Sequence, residues 1–330
     1  MSSQQHLRWR RFELPGRFFR WRIRGNPLSW MDQLPSVAPD LIVATSMVDL
    51  ATLKGLCPRL AKVPTIYYFH ENQFAYPCSP RQAVSVEPQM VQLYGALAAQ
   101  RVLFNSCFNR DSFLDGVDTL MRKMPDGVPE GLRDRLAAKA GICPVPIMPV
   151  AADPKASGRL ILWNHRWEYD KAPDLFADAV SAAAAQGVEF ELALLGARPE
   201  QPPEALGRLR RDLGERIVAD GRVDRDTYRR LLGRASIVVS TAEHEFQGLA
   251  MLEAVSAGAR PLVPDALCYP EQYPEQYRYP PGDGGALADR LRTWLSDGLP
   301  AVVDVSAWYA SSLEGIWRRC LWEGQKEQIE

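Results

Sequence analysis

The sequence predicts an α/β protein of two successive domains, each a parallel β-sheet with helices between its strands. Three observations carry that prediction. Short, mostly apolar runs recur at residues 40–45, 64–69, 101–105, 159–163, 189–195 and 235–240, as expected of strands covered on both faces. Stretches with helical apolar spacing lie between them, and such alternation implies parallel pairing. Midway, residues 143–158 hold four prolines followed by small or polar residues, the composition of a domain linker.

Taken in order, residues 7–14 alternate loosely and stop at Pro15-Gly16, which reads as a strand and a loop. The run at 40–45 is a strand with a helix after it. The run at 64–69 is the next strand, and it empties into His70, Glu71, Asn72 and Gln73, a polar cluster at a strand's C-terminal end, where open α/β sheets bind ligands. A histidine there also fits a satisfied core side chain. A helix over about 89–99 leads to the strand at 101–105, and Ser106 suits the N-cap of a following helix. These segments predict an N-terminal acceptor domain over 1–150. A second domain over 158–305 restarts with the strand at 159–163, a helix to about 185 and the strand at 189–195. A helix at 224–232, the strand at 235–240, a helix after it and a core strand at 261–263 follow, before a turn-rich stretch over 264–281. The segment 306–330 contains an amphipathic helix with Trp308, Leu313, Ile316, Trp317 and Leu321, expected to pack back toward the first domain.

The composition excludes several classes. At 330 residues, 46% hydrophobic and 24% charged, the chain is globular and neither disordered nor collagen-like. No apolar run is long enough for a membrane span, and the arginine-rich N-terminus has no apolar run behind it, so a cytoplasmic protein is expected. The six cysteines are scattered without a Cys-x2-Cys pair, which predicts reduced thiols rather than disulfides or zinc. The net charge of −1 hides an asymmetry: residues 1–30 carry seven arginines against Glu13 alone, a charge of +6, so the remainder sums to −7. Arg20, Arg22, Arg24 and Asn26 lie there among Trp9, Phe12, Phe18, Phe19, Trp21 and Trp30. That mixture suits phosphate pairing and base stacking, and equally an arginine-rich strand and loop on a domain surface.

The stretch STAEHEFQGLAMLEAVSAGA at 240–259 organises the second domain. A strand delivers a loop holding Glu245, an apolar face of Phe246, Leu249, Ala250, Ala254 and Ala257 begins a helix, and Gly248 stands where backbone must come close to something. Glu253 follows eight residues after Glu245. Free N–H groups at a helix start seat phosphate oxygens, and a carboxylate on each side accepts from hydroxyls, an arrangement suited to a nucleotide sugar. The same spacing also fits two ordinary surface glutamates. Arg166 and Lys171, five residues apart after a strand, offer two positive charges to a diphosphate or belong to a charged surface loop.

With the Phe-x-Gly step, the Gly258-Ala-Arg-Pro261 exit and Pro270-Glu271, the stretch resembles the donor signature of retaining glycosyltransferases with two Rossmann-like domains. The phrases FRWRIRGNPLSW (19–30), YYFHENQFAYP (67–77), FNSCFN (104–109), WNHRWEYDKAP (163–173), STAEHEFQGLAMLEA and PDALCYPEQYP (264–274) are more specific. Together, from about 7 to 280, they resemble the tRNA-queuosine mannosyltransferase family. The resemblance implies the GT-B fold, in which parallel sheets of two domains face a central cleft. It implies transfer of mannose from GDP-mannose to the cyclopentenediol of queuosine in a tRNA anticodon, without cofactor or metal, since cations and helix N–H groups can stabilise the leaving phosphate.

The roles implied are His70 and Glu245 at the donor sugar, Glu253 on the ribose, and Arg166 with Lys171 on the diphosphate. Phe246, Gln247, Gly248 and Leu249 complete the donor site. Glu71, Asn72 and Gln73 would line the cleft, with Arg20, Arg22, Arg24 and Asn26 toward the tRNA. No Asp-x-Asp pair is taken as a metal motif, and neither a membrane nor an obligate protein partner is expected. Family members begin with a strand and a Gly-Ser-His loop ahead of the arginine-rich phrase, whereas this chain starts at MSSQQHLRW. A first domain without that strand is therefore expected, from a late assigned start or a true loss. Two other readings stay open: the same fold with another nucleotide sugar and a small-molecule, lipid or glycan acceptor, and an idle RNA-binding or nucleotide-sugar-binding module.

Overall fold

The computed structural model describes residues 7–76, 85–154, 156, 158–326, with side chains described to Leu321. Pro77 of the predicted cleft phrase, Cys78, and Lys155 and Ser157 of the predicted linker lie outside the described residues. The first half runs α1 (Phe19–Trp30), β1 (Ile42–Thr45), α2 (Leu50–Leu56), β2 (Thr65–Phe69), α3 (Glu87–Ala98), β3 (Arg101–Phe104), α4 (Cys107–Met121), α5 (Leu132–Ala137) and β4 (Ala140–Ile142). Its strands form a parallel sheet in the order β1-β2-β3-β4. β2 is buried along its whole length, as its apolar sequence requires, and Phe69, Phe104 and Phe113 pack ring to ring beneath it.

The second half contains β5 (Leu160–Trp163), α6 (Pro173–Ala185), β6 (Glu191–Leu194), α7 (Glu204–Leu213), β7 (Ile217–Asp220), α8 (Arg225–Arg234) and β8 (Ile237–Val239). It continues with α9 (Leu249–Ser256), β9 (Arg260–Pro264), β10 (Arg278–Tyr279), α10 (Gly284–Asp297) and α11 (Ala310–Lys326). The parallel sheet has the order β10-β9-β8-β5-β6-β7. The chain leaves β5 toward β6 on one side and later returns with β8 on the other. The C-terminal ends of β5 and β8 therefore flank a topological switch point, the crevice where doubly wound sheets place ligands.

α11 packs against the first sheet rather than the second. The Trp317 indole N–H donates to the Pro144 carbonyl at 2.9 Å, and its ring lies 5.3 Å from that of Tyr68. Cys320 and Leu321 join Ile66, Tyr68 and Leu103 in one apolar cluster.

Several expectations are corrected. Residues 7–14 form no strand; they run as irregular chain, with Arg10 donating to the Gln33 carbonyl at 3.0 Å and Leu7 packed against the same apolar cluster as Trp317, because no strand among the described residues pairs with them. The arginine-rich segment is not a strand and loop: Arg20, Arg22 and Arg24 lie on helix α1, and Arg8, Arg10, Arg11 and Arg17 in the irregular chain ahead of it. Pro27 sits inside it, and the Ile23 carbonyl that a residue-27 N–H would have served accepts instead from Asn26 Nδ2 at 3.4 Å. In α9 the buried face is Met251, Leu252, Ala254 and Val255; Leu249 is exposed, and Phe246 belongs to the loop ahead of the helix. One Asp-x-Asp triplet does exist, Asp224-Arg225-Asp226, but Asp224 caps α8 by accepting from the Asp226 and Thr227 N–H groups at 3.0 and 2.9 Å.

Candidate active site

Two loops build the site at the switch point. The loop after β5 is pinned from below: Trp163 meets Trp167 at 4.3 Å and stacks on Phe176 at 5.3 Å, and the Trp167 indole N–H donates to the Leu195 carbonyl at 3.0 Å. Gly196 lets β6's exit pass beneath it, since a Cβ there would stand 1.9 Å from the His165 carbonyl oxygen. Arg166 is consequently held at the surface, its side chain 54% exposed and 3.1 Å from Glu168. The chain then makes a tight turn over Tyr169–Lys171, and Ala172 enters the left-handed region at φ 42° ahead of Pro173.

This turn aims Lys171 inward. Thr241 Oγ1 donates to the Lys171 carbonyl at 2.7 Å and the Glu243 N–H donates to the Asp170 carbonyl at 2.9 Å, so the β8 loop clamps the β5 loop. The ammonium, only 6% exposed with its residue, donates to the His244 carbonyl and lies 3.2 Å from Asp170 and 3.4 Å from Glu245. Burial pushes the Glu245 carboxyl up, but Lys171, His165 and the Gly248 N–H outweigh it and hold the carboxyl below its ordinary value. Burial, reinforced by Lys171, drives His165 and His244 down to about 4, so both imidazoles are neutral at pH 7. His165 Nε2, His244 Nε2 and Asp170 Oδ1 are buried without a hydrogen-bond partner in the protein, while Asp170 Oδ2 has the Lys171 ammonium as its ion-pair partner. Unsatisfied groups are rare in folded chains, and a cluster of them marks a place organised for something other than packing.

The second loop passes directly into α9. Gly248 adopts φ 64°, where an added Cβ would also press to 3.2 Å from the Tyr269 ring. The free N–H groups of α9 therefore start beside Glu245. Glu253, one turn on, accepts from the Tyr228 phenol at 3.0 Å, and Tyr228 in turn accepts from Asn164 Nδ2 at 3.3 Å. Gln247 grips the inter-domain segment on both edges, its Oε1 accepting from the Val145 N–H at 3.0 Å and its Nε2 donating to the Val145 carbonyl at 2.8 Å.

From the first domain, the Tyr76 ring lies 4.5 Å from His244, and Phe108 lies 5.9 Å from Phe246. Glu271 reaches across to accept from the Cys107 and Phe108 N–H groups at 2.9 and 2.6 Å, capping α4 from the opposite domain. His70 is exposed just beyond β2, and its carbonyl accepts from Asn105 Nδ2 at 2.9 Å. Glu71 is half-buried, and its carbonyl accepts from Ser46. Asn72 is fully buried and builds the loop: its amide donates to Asn109 and Ser112, and its carbonyl oxygen accepts from the Phe74 and Ala75 N–H groups. The Gln73 N–H donates to Gln92 at 2.7 Å, which ties the same loop to α3.

Arg166, Lys171, Glu245, Phe246, Gln247 and Gly248 are thus brought together, with Leu249 and Glu253 on the helix they introduce. Arg20, Arg22, Arg24 and Asn26 stand elsewhere, on α1. Asn26 is buried, donating to the Met47 carbonyl and accepting from the Asp49 N–H, and Arg24 pairs with Asp49 at 2.7 Å and Glu87 at 3.4 Å. Asp170, His165, His244, Tyr76 and Tyr228 were missed as site residues, although all but Tyr228 fall inside or beside the quoted phrases. Among the described residues, no three His, Cys, Asp or Glu side chains converge to hold a metal ion.

Comparison with known proteins agrees with this architecture. A family description of the tRNA-queuosine alpha-mannosyltransferase N-terminal region matches residues 1–147, and one of glycosyl transferases group 1 matches 158–297. A tRNA-queuosine alpha-mannosyltransferase of Drosophila melanogaster is 34% identical over 294 residues, covering 85% of this chain and 78% of the relative. The chain belongs to the tRNA-queuosine alpha-mannosyltransferase family. It is a glycosyltransferase of the GT-B fold, and solved GT-B structures superimpose on it well beyond their sequence likeness. HepE of Anabaena, bound to UDP, aligns with TM-score 0.67 at 15% identity over 91% of this chain and 82% of its own. A mutant of S. aureus TarM bound to fondaparinux, alpha-GlcNAc-glycerol and UDP aligns with TM-score 0.62 at 13% identity over 92% of this chain, which spans only 57% of TarM. No described helix is long and apolar enough to cross a membrane.

Proposed function

We propose that the protein transfers mannose from GDP-mannose to a cyclopentenediol hydroxyl of queuosine in a tRNA anticodon, with retention at the anomeric carbon, in the cytoplasm. The observation that carries the reading is the Lys171 ammonium, set between Asp170 and Glu245 beside the start of α9 at the switch point. Arg166, Lys171 and the α9 N–H groups would bind the diphosphate and stabilise its charge as the glycosidic bond breaks. Glu253, oriented by Tyr228, would accept from the ribose, and Glu245, kept ionised, from sugar hydroxyls, while His70 faces the sugar from the other domain. The queuosine hydroxyl attacks from the face the phosphate leaves, its proton passes to the departing phosphate oxygen, and the products are GDP and mannosyl-queuosine tRNA. No step needs a metal or a protein nucleophile.

The test is incubation of the purified chain with GDP-mannose and queuosine-containing tRNA, beside tRNA lacking queuosine, followed by mass analysis of digested nucleosides. A hexose increment on queuosine alone is expected. An increment obtained only with another nucleotide sugar would reassign the donor, and GDP-mannose turnover independent of queuosine would reassign the acceptor.

A further inference from the structure

The outward face of α1 is built as a platform. At 100° per residue, Phe18, Trp21, Gly25 and Leu28 fall on one stripe of the helix, opposite the buried Ile23, Asn26, Pro27 and Trp30. The stripe is apolar yet open: Phe18 is 67% exposed, Trp21 59% and Leu28 56%. Trp21 lies down on the helix, because a Cβ added at Gly25 would stand 2.7 Å from its indole carbons. One face of the indole therefore rests on backbone that only glycine leaves bare, and the other is free. Phe18 caps the helix in the left-handed region at φ 57°, an unfavourable conformation for a bulky residue, and the Arg17 guanidinium sits 5.4 Å over its ring.

Charge names the occupant. By helical spacing Arg22 borders one side of the stripe and Arg24, itself paired with Asp49 and Glu87, the other; Arg17 stands over Phe18 at its start, within a segment carrying seven arginines and one glutamate. The two faces of α1 divide the work: Asn26 and Arg24 tie the helix to the Met47–Asp49 stretch after β1, and Ser46 there donates to the Glu71 carbonyl beside His70. The platform thus stands at the same end of the first sheet as His70.

The geometry points to Trp21, laid over Gly25 and flanked by Phe18 and the arginines, as a stacking shelf for an unpaired nucleobase of the RNA acceptor. This rests on the tRNA reading above and assigns it a residue. A flat aromatic face with cations at its border is the chemistry by which single-stranded RNA is held without sequence readout. The net charge of +6 over residues 1–30 favours a polyanion over a protein partner or a second copy of this chain.

The experiment compares the full-length protein with Trp21→Ala, Trp21→Phe and Gly25→Ala, measuring the Kd for queuosine-free tRNA and GDP-mannose, and the KM and kcat for queuosine tRNA. Loss of the shelf should weaken RNA binding by about 5- to 150-fold, the range for one stacked base. It should leave the GDP-mannose Kd unchanged. Trp21→Phe should recover most of the affinity, and Gly25→Ala should mimic Trp21→Ala by lifting the ring. Equal RNA affinity in wild type and Trp21→Ala would overturn the shelf even if queuosine is mannosylated. Trp21-dependent RNA binding without mannose transfer would keep the shelf and sink the proposed reaction. A dimer in sedimentation that Trp21→Ala dissolves, with RNA binding unaltered, would show the face to be a self-interface and overturn the proposal.

Discussion

Replacing Lys171 by Met tests the electrostatics of the site without reference to any substrate. Methionine keeps most of the stem's packing and removes the charge. It strands the Asp170 carboxylate, 1% exposed and 3.2 Å from the ammonium, and takes from Glu245 the cation that most lowers its pKa. Removing one partner of a buried pair costs about 3–5 kcal/mol, because the remaining charge is left uncompensated. Glu245, whose side chain is 22% exposed, adds less because water screens it. In a domain of this size that corresponds to a Tm lower by ~6–20 °C. The double variant Asp170→Asn with Lys171→Met should recover much of the loss, since the stranded charge is gone. Differential scanning calorimetry at pH 7.5 reads both. A Lys171→Met Tm equal to wild type, or a double variant no better than the single one, would refute the claim that the ammonium is held by charge compensation.

Three further outcomes are expected. Glu253→Ala should weaken GDP binding by about 1.5–3 kcal/mol, the worth of a charged hydrogen bond, and Tyr228→Phe by less; calorimetric titration with GDP that finds Glu253→Ala unchanged would remove the ribose role. Glu271→Ala frees two α4 N–H groups that it caps across the cleft at 2.9 and 2.6 Å, so small-angle scattering should show a larger radius of gyration; identical curves would show that this contact does not hold the domains together. His165 and His244 have pKa values depressed to about 4, so the unfolded chain binds more protons than the folded one below the ordinary value of about 6.5. Stability is then complete above that value and falls as the pH drops toward 4, and His165→Gln should flatten this slope in urea titrations between pH 7.5 and 5.

The local features were legible because they rest on local physics. The buried runs that became β2, β5 and β6 needed only apolar continuity, Ser106 caps α4 as its hydroxyl predicts, and Gly248 occupies the one backbone conformation its position demands. The edge strand β7 went unread because it is only half-buried, alternating with exposed positions, and so lacks the apolar run of an inner strand. Residues 7–14 show the converse error, an alternating pattern with no strand among the described residues to complete a ladder.

The sequence by itself determined the two parallel-sheet halves, the phrases that place the chain in its family, and the segment 240–259 as a strand, loop and helix start. Only the tertiary structure decided what those residues share. Asp170 and Glu245 are far apart in sequence, and they meet on one ammonium because the sheet order reverses between β5 and β8. The arginines of α1 looked equivalent in sequence, yet helical geometry and burial of one face turned Asn26 inward, paired Arg24 and left Trp21 uncovered. Periodicity along a chain encodes which face of an element is apolar; which charges it meets across space depends on strand order and domain contact, and these are set by packing over distances no local pattern records.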